Sequence, residues 1–413
     1  MLARILLPAG RGELATVMLW PPILATIGLF GLSEATAFSV ARRLISPGHI
    51  FSSAVVLAFT YSLILVPIGW VIIDYVSAGF EPDARFAAFL CLTFIPINHF
   101  GLVVVSMHQG GLSIGRWNVL RTSIHVAFTA LIAIFALLGW GNVVGFTSAF
   151  LIANVITVTL GLIMARGHNW FAEYPKRENI RTLFTFGLKV HLVNAVTILN
   201  ERMDQLLISL LMSPVDLGIY VVANTYARGV GAIGDTLGIL VFPKIAHEKN
   251  ASSQAIIAGR YARATLMLSI PTVGVGILLA NWLIVTVFGR QFGPAGNVAQ
   301  VLLLSIVPFN LKLVFTGILK AINRGLEAGA VQSGIFVLSL LLLALLLPMF
   351  GLMGAALAAL CAQTIAASIM ADRIRRALGL GFRDLLWPYP ADVRYVFQAS
   401  RRMTQRPEME PPS

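Results

Sequence analysis

Charge is what this sequence has least of. Only 12% of its 413 residues are Asp, Glu, Lys or Arg, against 57% that are hydrophobic. So few ionisable groups cannot clothe the surface of two or three soluble domains, so the chain reads as a polytopic membrane protein. Cysteine is scarce as well. Cys91 and Cys361 both lie in apolar stretches, which argues against a disulfide framework or a thiolate metal site. No Gly-x-x-x-x-Gly-Lys-[Ser/Thr] loop is present, which removes ATP hydrolysis by that route. His-Glu-x-x-His, Gly-x-Ser-x-Gly and Cys-x-x-Cys are missing too. Glu81 and Asp83 flank a short turn that reads as a solvated loop, and no loop is large enough for a catalytic domain. The expectation is a non-enzyme with no metal, no cofactor and no cleavable signal peptide.

What is present is long apolar runs. Hydropathy gives eleven candidate spans, about 13–36, 51–78, 85–107, 116–140, 142–166, 187–213, 215–243, 261–288, 296–322, 328–350 and 352–372. The longest connection, 167–186, mixes aromatic and basic residues, as suits a segment in the headgroup layer. The loops alternate in charge. One set carries 15 Lys or Arg, from Arg42 and Arg43 through Lys320 and Arg324, and eight more arginines follow Ala371. The opposite set holds only Arg85 and Arg290, with Arg4 and Arg11 near the N-terminus. By the positive-inside rule the basic loops and the C-terminus are cytoplasmic. The net charge of +12 is therefore a topology signal and not a nucleic-acid footprint.

Within that apolar background, 187–213 stands apart. It is long enough to cross a bilayer, yet Asn200, Glu201, Arg202, Asp204 and Gln205 sit in it, where charge facing lipid costs several kcal/mol. At about 100° per residue, Glu201, Arg202, Asp204 and Gln205 join His191, Asn194 and Thr197 on roughly half the circumference. That half must look into protein or water, either as a solvated pathway or as a structural network that locks helices together. Arg228 and Lys312 are the other two cations inside spans, with Asp235 nearby in sequence as a further acid. Such an interior would attract an anionic headgroup such as a phosphate or pyrophosphate. Asn98, His99, His125, Tyr226, Asn310 and Gln363 are the remaining in-span polar residues, each read first as a helix–helix hydrogen bond.

The two halves echo one another. Pro8-Ala-Gly-Arg-Gly12 and Pro214-Val-Asp-Leu-Gly218 both open a long span as Pro-x-x-x-Gly, and Gln109-Gly-Gly-Leu112 and Asn323-Arg-Gly-Leu326 both end one. In the same order and with the same topology, they point to two parallel repeats. Met1–Leu7 resembles the last two turns of a helix that the second repeat has in full at 187–213. The expectation is a twelve-helix fold lacking its first helix. Its parts would be an N-terminal lobe at 1–166, an interfacial cytoplasmic linker at 167–186, a C-terminal lobe at 187–376 and a cytoplasmic tail at 377–413.

Several motifs also carry a family likeness. Leu2-Ala-Arg-Ile-Leu-Leu-Pro-Ala-Gly-Arg-Gly-Glu-Leu-Ala15, Gly31-Leu-Ser-Glu-Ala-Thr-Ala37, Leu199-Asn-Glu-Arg-Met-Asp204, Leu217-Gly-Ile-Tyr-Val-Val-Ala223, Phe242-Pro-Lys-Ile-Ala246 and Phe288-Gly-Arg-Gln-Phe-Gly-Pro-Ala295 resemble polysaccharide-biosynthesis flippases. These belong to the multidrug/oligosaccharidyl-lipid/polysaccharide exporter superfamily, in its O-antigen-flippase-like branch. The resemblance implies an all-α protein with two lobes around a cavity that opens alternately to either side. It implies a polyprenyl-pyrophosphate-linked saccharide as cargo, moved to the outer leaflet of a bacterial inner membrane for surface polysaccharide export. It implies membrane lipids, and a polysaccharide polymerase with its export machinery, as partners. The family's mid-membrane Arg and Asp map onto Arg202 and Asp204. On this reading Asn200, Glu201, Arg202, Asp204, Gln205, Arg228 and Lys312 would contact cargo, and Glu201, Asp204 or Asp235 would couple energy. The competing expectations are a cation-coupled multidrug exporter of the same architecture and a membrane-embedded glycosyltransferase or polymerase. A central acidic cavity without arginines would favour the former. A catalytic carboxylate on a large loop, which is missing, would be needed for the latter.

Overall fold

Prolines and glycines decide where the helices of this chain stop. The computed structural model describes residues 2–43, 45–231, 233–387 and 389, without the side chains of 192–198, Glu201, Ile233 and Asp235. Every regular element among them is helical. The first path runs through α1 (Leu2–Val17), α2 (Trp20–Gly28) and α3 (Leu32–Arg42), and bends by 46° before α3. Pro8 excludes the helical conformation for Leu7, whose backbone goes to φ 58°, ψ 177° and breaks α1 there. Helices α4 (Pro47–Val76), α5 (Pro82–Cys91), α6 (Phe94–Gly110), α7 (Ile114–Leu137) and α8 (Val143–Met164) follow.

The second stretch begins with α9 (Arg177–Leu211), then α10 (Pro214–Gly231) and α11 (Ile233–His247). It continues with α12 (Ala251–Phe288), α13 (Ala295–Ala321) and α14 (Gly325–Leu378), and closes on the short α15 (Phe382–Leu386). Gly351, at φ 59°, ψ −141°, divides α14 into two helical segments. Hydropathy places a boundary at the same point, between 328–350 and 352–372. The order of elements repeats: a break, a Pro-opened helix, a bent partner, then long helices separated by short turns. By length and composition seven helices qualify as spans, or nine if each bent pair counts as one, among the described residues. Helix α9 is not among them.

Helix α9 starts at Arg177, earlier than the expected span at 187. Glu178 suits the electropositive first turn, and Ile180, Leu183 and Phe186 extend an apolar face at helical spacing onto the core, with Leu183 fully buried. The connection before it is correspondingly short. There Trp170 is buried against Phe51 and His108, while Phe171 and Tyr174 are exposed.

By internal contact the chain divides into two compact units, residues 1–221 and 222–413. In the first, α9 packs on α2, α3 and α4. Its core puts Leu14, Leu32 and Ile50 beside fully buried Ala25, Ala35, Ala54 and Ala87. Lipid tails are as apolar as leucine, so close approach over small residues, and not exclusion from water, holds such helices together. In the second unit α13 is the central helix, packed on α11, α12 and α14. Its Val314, Phe315, Ile318 and Leu319 are fully buried.

Candidate functional site

The polar cluster of α9 is spread around the helix according to what each residue can find. Asn200 is half-buried, Arg202 exposed, Asp204 half-buried and Gln205 buried. Arg202 donates from Nη1 to Gln205 Oε1 over 3.3 Å, one turn further along the same helix. Asp204 turns the other way and accepts a 2.7 Å hydrogen bond from the hydroxyl of Tyr220, itself fully buried on α10. A carboxylate accepting from a phenol makes one of the stronger hydrogen bonds available, worth ~1.5–3 kcal/mol. It ties α9 to the helix that follows the Pro214 turn. One turn on, Trp20 Nε1 of α2 donates to Ser209 Oγ over 3.2 Å, fixing α9 on its other side. The side chains of Glu201 and Asp235, both named from sequence, lie outside the described residues, as do those of Asn194 and Thr197.

The turn between α9 and α10 has a partner of its own kind. A Cβ at Gly12 would overlap the carbonyl of Pro214, and one at Gly218 would overlap the carbonyl of Pro8. The two backbones approach to within about 3.0 Å between each glycine's Cβ position and the other's nitrogen. The two Pro-x-x-x-Gly turns therefore cross one another reciprocally, as a repeat about a local two-fold axis would. A second glycine pair, Gly31 and Gly187, brings α3 and α9 together in the same way, with Gly31 at φ 69°. Next to it His191 is buried against the edge of Phe30, 5.6 Å between ring centres.

The second unit carries the remaining sequence-named cations. Lys312 is only 3% exposed on α13, its ammonium 4.7 Å from the centre of the Phe309 ring, a cation–π contact. Asn310, fully buried, donates from Nδ2 to Ser269 Oγ of α12 over 2.9 Å. Gly234 of α11 lies against the same amide, so that any side chain there would displace it. Tyr226 donates to the Gly276 carbonyl over 2.7 Å. Arg228 is exposed at the end of α10. Thus the structure brings Arg202, Asp204 and Gln205 together on one helix, and sets Lys312 with Asn310 in the core of the other unit. Sequence reasoning missed Tyr220, Trp20 and Phe309 as partners. His99, expected as a helix–helix hydrogen bonder, is one: its ring bridges the Ala25 carbonyl and Ser62 Oγ, each at 2.9 Å. His125 is exposed.

Comparison with known proteins agrees with this architecture. A probable low-salt glycan biosynthesis flippase, Agl15 of Haloferax volcanii, is 24% identical over 366 residues, covering 84% of this chain and 74% of the relative. The solved structure of the lipid II flippase MurJ, in an inward closed conformation, matches with a TM-score of 0.72 at 14% identity. It covers 98% of this chain and 92% of that one. An inward-facing multidrug resistance transporter of the MATE family, in the MOP superfamily, matches with a TM-score of 0.67 at 16% identity, over 92% and 93% of the two chains. The fold is thus that of the multidrug/oligosaccharidyl-lipid/polysaccharide exporters. Residues 1–296 match the family model described as polysaccharide biosynthesis protein, and the chain belongs to that family.

Proposed function

We propose that this protein is a flippase that moves a lipid-linked saccharide from the cytoplasmic to the outer leaflet by alternating access, with its C-terminus cytoplasmic. The observation that carries the reading is the polar cluster of α9, with Arg202 exposed. In a chain with 12% charged residues, one helix concentrates Arg202, Asp204 and Gln205 and leaves the Arg202 side chain exposed. A guanidinium with donors to spare matches a pyrophosphate, while Asn200 and Gln205 offer both donors and acceptors to sugar hydroxyls. Arg228 and Lys312 supply further cationic character in the second unit. The lipid tail would stay in the bilayer. Polyprenyl-pyrophosphate-linked oligosaccharide is the cargo class that this chemistry favours, and the setting we propose for it is a bacterial cytoplasmic membrane with a polymerase downstream.

Asp204 is then held by Tyr220 as a structural counter-charge, which leaves Glu201 and Asp235 as the acids for coupling. Two lobes built as repeats, with eleven spans when α9 and both segments of α14 are counted, complete the reading. The test is deletion followed by lipid analysis of each leaflet. Lipid-linked oligosaccharide accumulating on the cytoplasmic side supports flipping. Unpolymerised material already on the outside would exclude it as the primary role.

A further inference from the structure

We infer that a saccharide-release subsite is built at the outer end of the first unit, against the crossing of the two Pro-x-x-x-Gly turns. A cavity of about 360 Å³ lies there. That is within the ~300–1,000 Å³ of small-ligand pockets and has room for a sugar ring or two. Three features fix what it can hold.

First, its floor is rigid. Pro214 and Leu217 line it, and both belong to the turn whose Gly218 is locked against Pro8. Second, it presents aromatic faces and acceptor oxygens. Tyr75 and Phe80 flank it from the end of α4 and the turn that follows. The hydroxyls of Thr16, Ser209 and Ser213 line it too. Each hydroxyl already donates elsewhere: Thr16 to the Gly12 carbonyl at 3.1 Å, Ser209 to the Leu206 carbonyl at 2.7 Å, Ser213 to Asp216 at 2.6 Å. Ser209 also accepts from Trp20 and Ser213 from the Asp216 backbone N–H, so what the three offer the cavity is their remaining lone pairs, which suit the O–H donors of a sugar. Third, among the described residues no lysine, arginine or histidine lines it. A pyrophosphate brought there would be desolvated without a counter-charge, which costs several kcal/mol. A neutral polyol with an apolar ring face fits and a phosphate does not.

The identity of the polyol rests on the flippase reading above, whereas the cavity's chemistry does not.

Gly79 provides the test, because it lines the cavity and a Cβ there meets nothing within 4 Å. In a Cys361→Ser background, Gly79→Cys should react with a membrane-impermeant maleimide on intact cells. Lipid-free oligosaccharide, released by mild acid from the host's own lipid-linked pool, should slow that reaction. Adding Tyr75→Ala should weaken the protection about tenfold, equivalent to ~1.4 kcal/mol. Labelling only after permeabilisation, or not at all, overturns an outward-opening site. Labelling undiminished by oligosaccharide overturns a sugar subsite, and protection unchanged by both Tyr75→Ala and Phe80→Ala overturns the aromatic platform. Flipping of lipid-linked oligosaccharide in vesicles reads the parent proposal separately: flipping without protection sinks the subsite alone, and protection without flipping sinks the flippase reading.

Discussion

Replacing Gly12 by alanine adds one methyl where the carbonyl of Pro214 already stands. The obstacle is backbone, not the tip of a flexible side chain, so it cannot rotate away. The turns must separate, and overpacking of that kind costs ~1–3 kcal/mol. Gly218→Ala meets the carbonyl of Pro8 in the same manner, and should cost a similar amount. Because both substitutions part the same crossing, the second adds little once the first has opened it. The double variant should fall short of the sum of the two by at least ~1 kcal/mol, as expected for residues in contact. Alanine also gains helix propensity over glycine, ~0.5–1 kcal/mol, and Gly329→Ala isolates that gain since nothing lies within 4 Å of its Cβ. Reversible unfolding in mixed detergent micelles measures all four variants against wild type. Additivity within ~0.5 kcal/mol, or single variants stabilised as Gly329→Ala is, would refute the reciprocal crossing and with it the local two-fold axis.

Other consequences are as specific. Tyr220→Phe deletes the hydroxyl donating to Asp204 and should lower stability by ~1.5–3 kcal/mol, measured in the same unfolding assay, with Asp204→Asn compensating in part. Trp20→Phe removes the bond to Ser209 and should cost only ~0.5–1.5 kcal/mol, since both partners are neutral. Glu173, in the connection before α9, is held below the usual carboxylate range by the Ser46 hydroxyl, the His49 side chain and backbone N–H, and Lys176. Its stabilising contribution is therefore present above the usual carboxylate range and lost as pH falls through it. Glu173→Gln should lower stability at neutral pH and flatten the acid limb of a stability–pH profile, the variant and wild-type curves converging at acid pH.

Much of the fold could be read in advance because breaks in apolar helices have chemical causes. Pro8, Pro214 and Gly351 each mark a real interruption, since a residue before proline avoids the helical region and glycine alone adopts φ 59°, ψ −141° at no cost. The start of α9 was harder to see. The aromatic and basic residues at 177–186 have the composition of a membrane-surface segment, and only their spacing, with Ile180 and Leu183 on the buried side, gives the helix away. The cluster at 200–205 was legible as a group because charge is so rare in this chain. Its internal pairing was not. Arg202 with Gln205 follows from helical spacing, but Asp204 with Tyr220 depends on how α10 folds back after Pro214. That geometry is set by the glycine crossing, a contact between residues 206 positions apart. Lys312 was placed inside by its mid-span position, while its seat over Phe309 depends on side-chain rotamers that no pattern specifies.

The most direct test of the central claim uses the purified protein in vesicles loaded with a fluorescent polyprenyl-pyrophosphate oligosaccharide, its sugar probed from outside by an impermeant lectin. Wild-type protein should render lipid on the initially protected leaflet accessible. Arg202→Ala, equally reconstituted and equally stable, should slow this at least about tenfold, the smallest effect expected for losing a charge-assisted contact to pyrophosphate. Arg202→Lys should keep part of the rate. Equal rates for wild type and Arg202→Ala, or no flipping by the wild-type protein, would contradict the account.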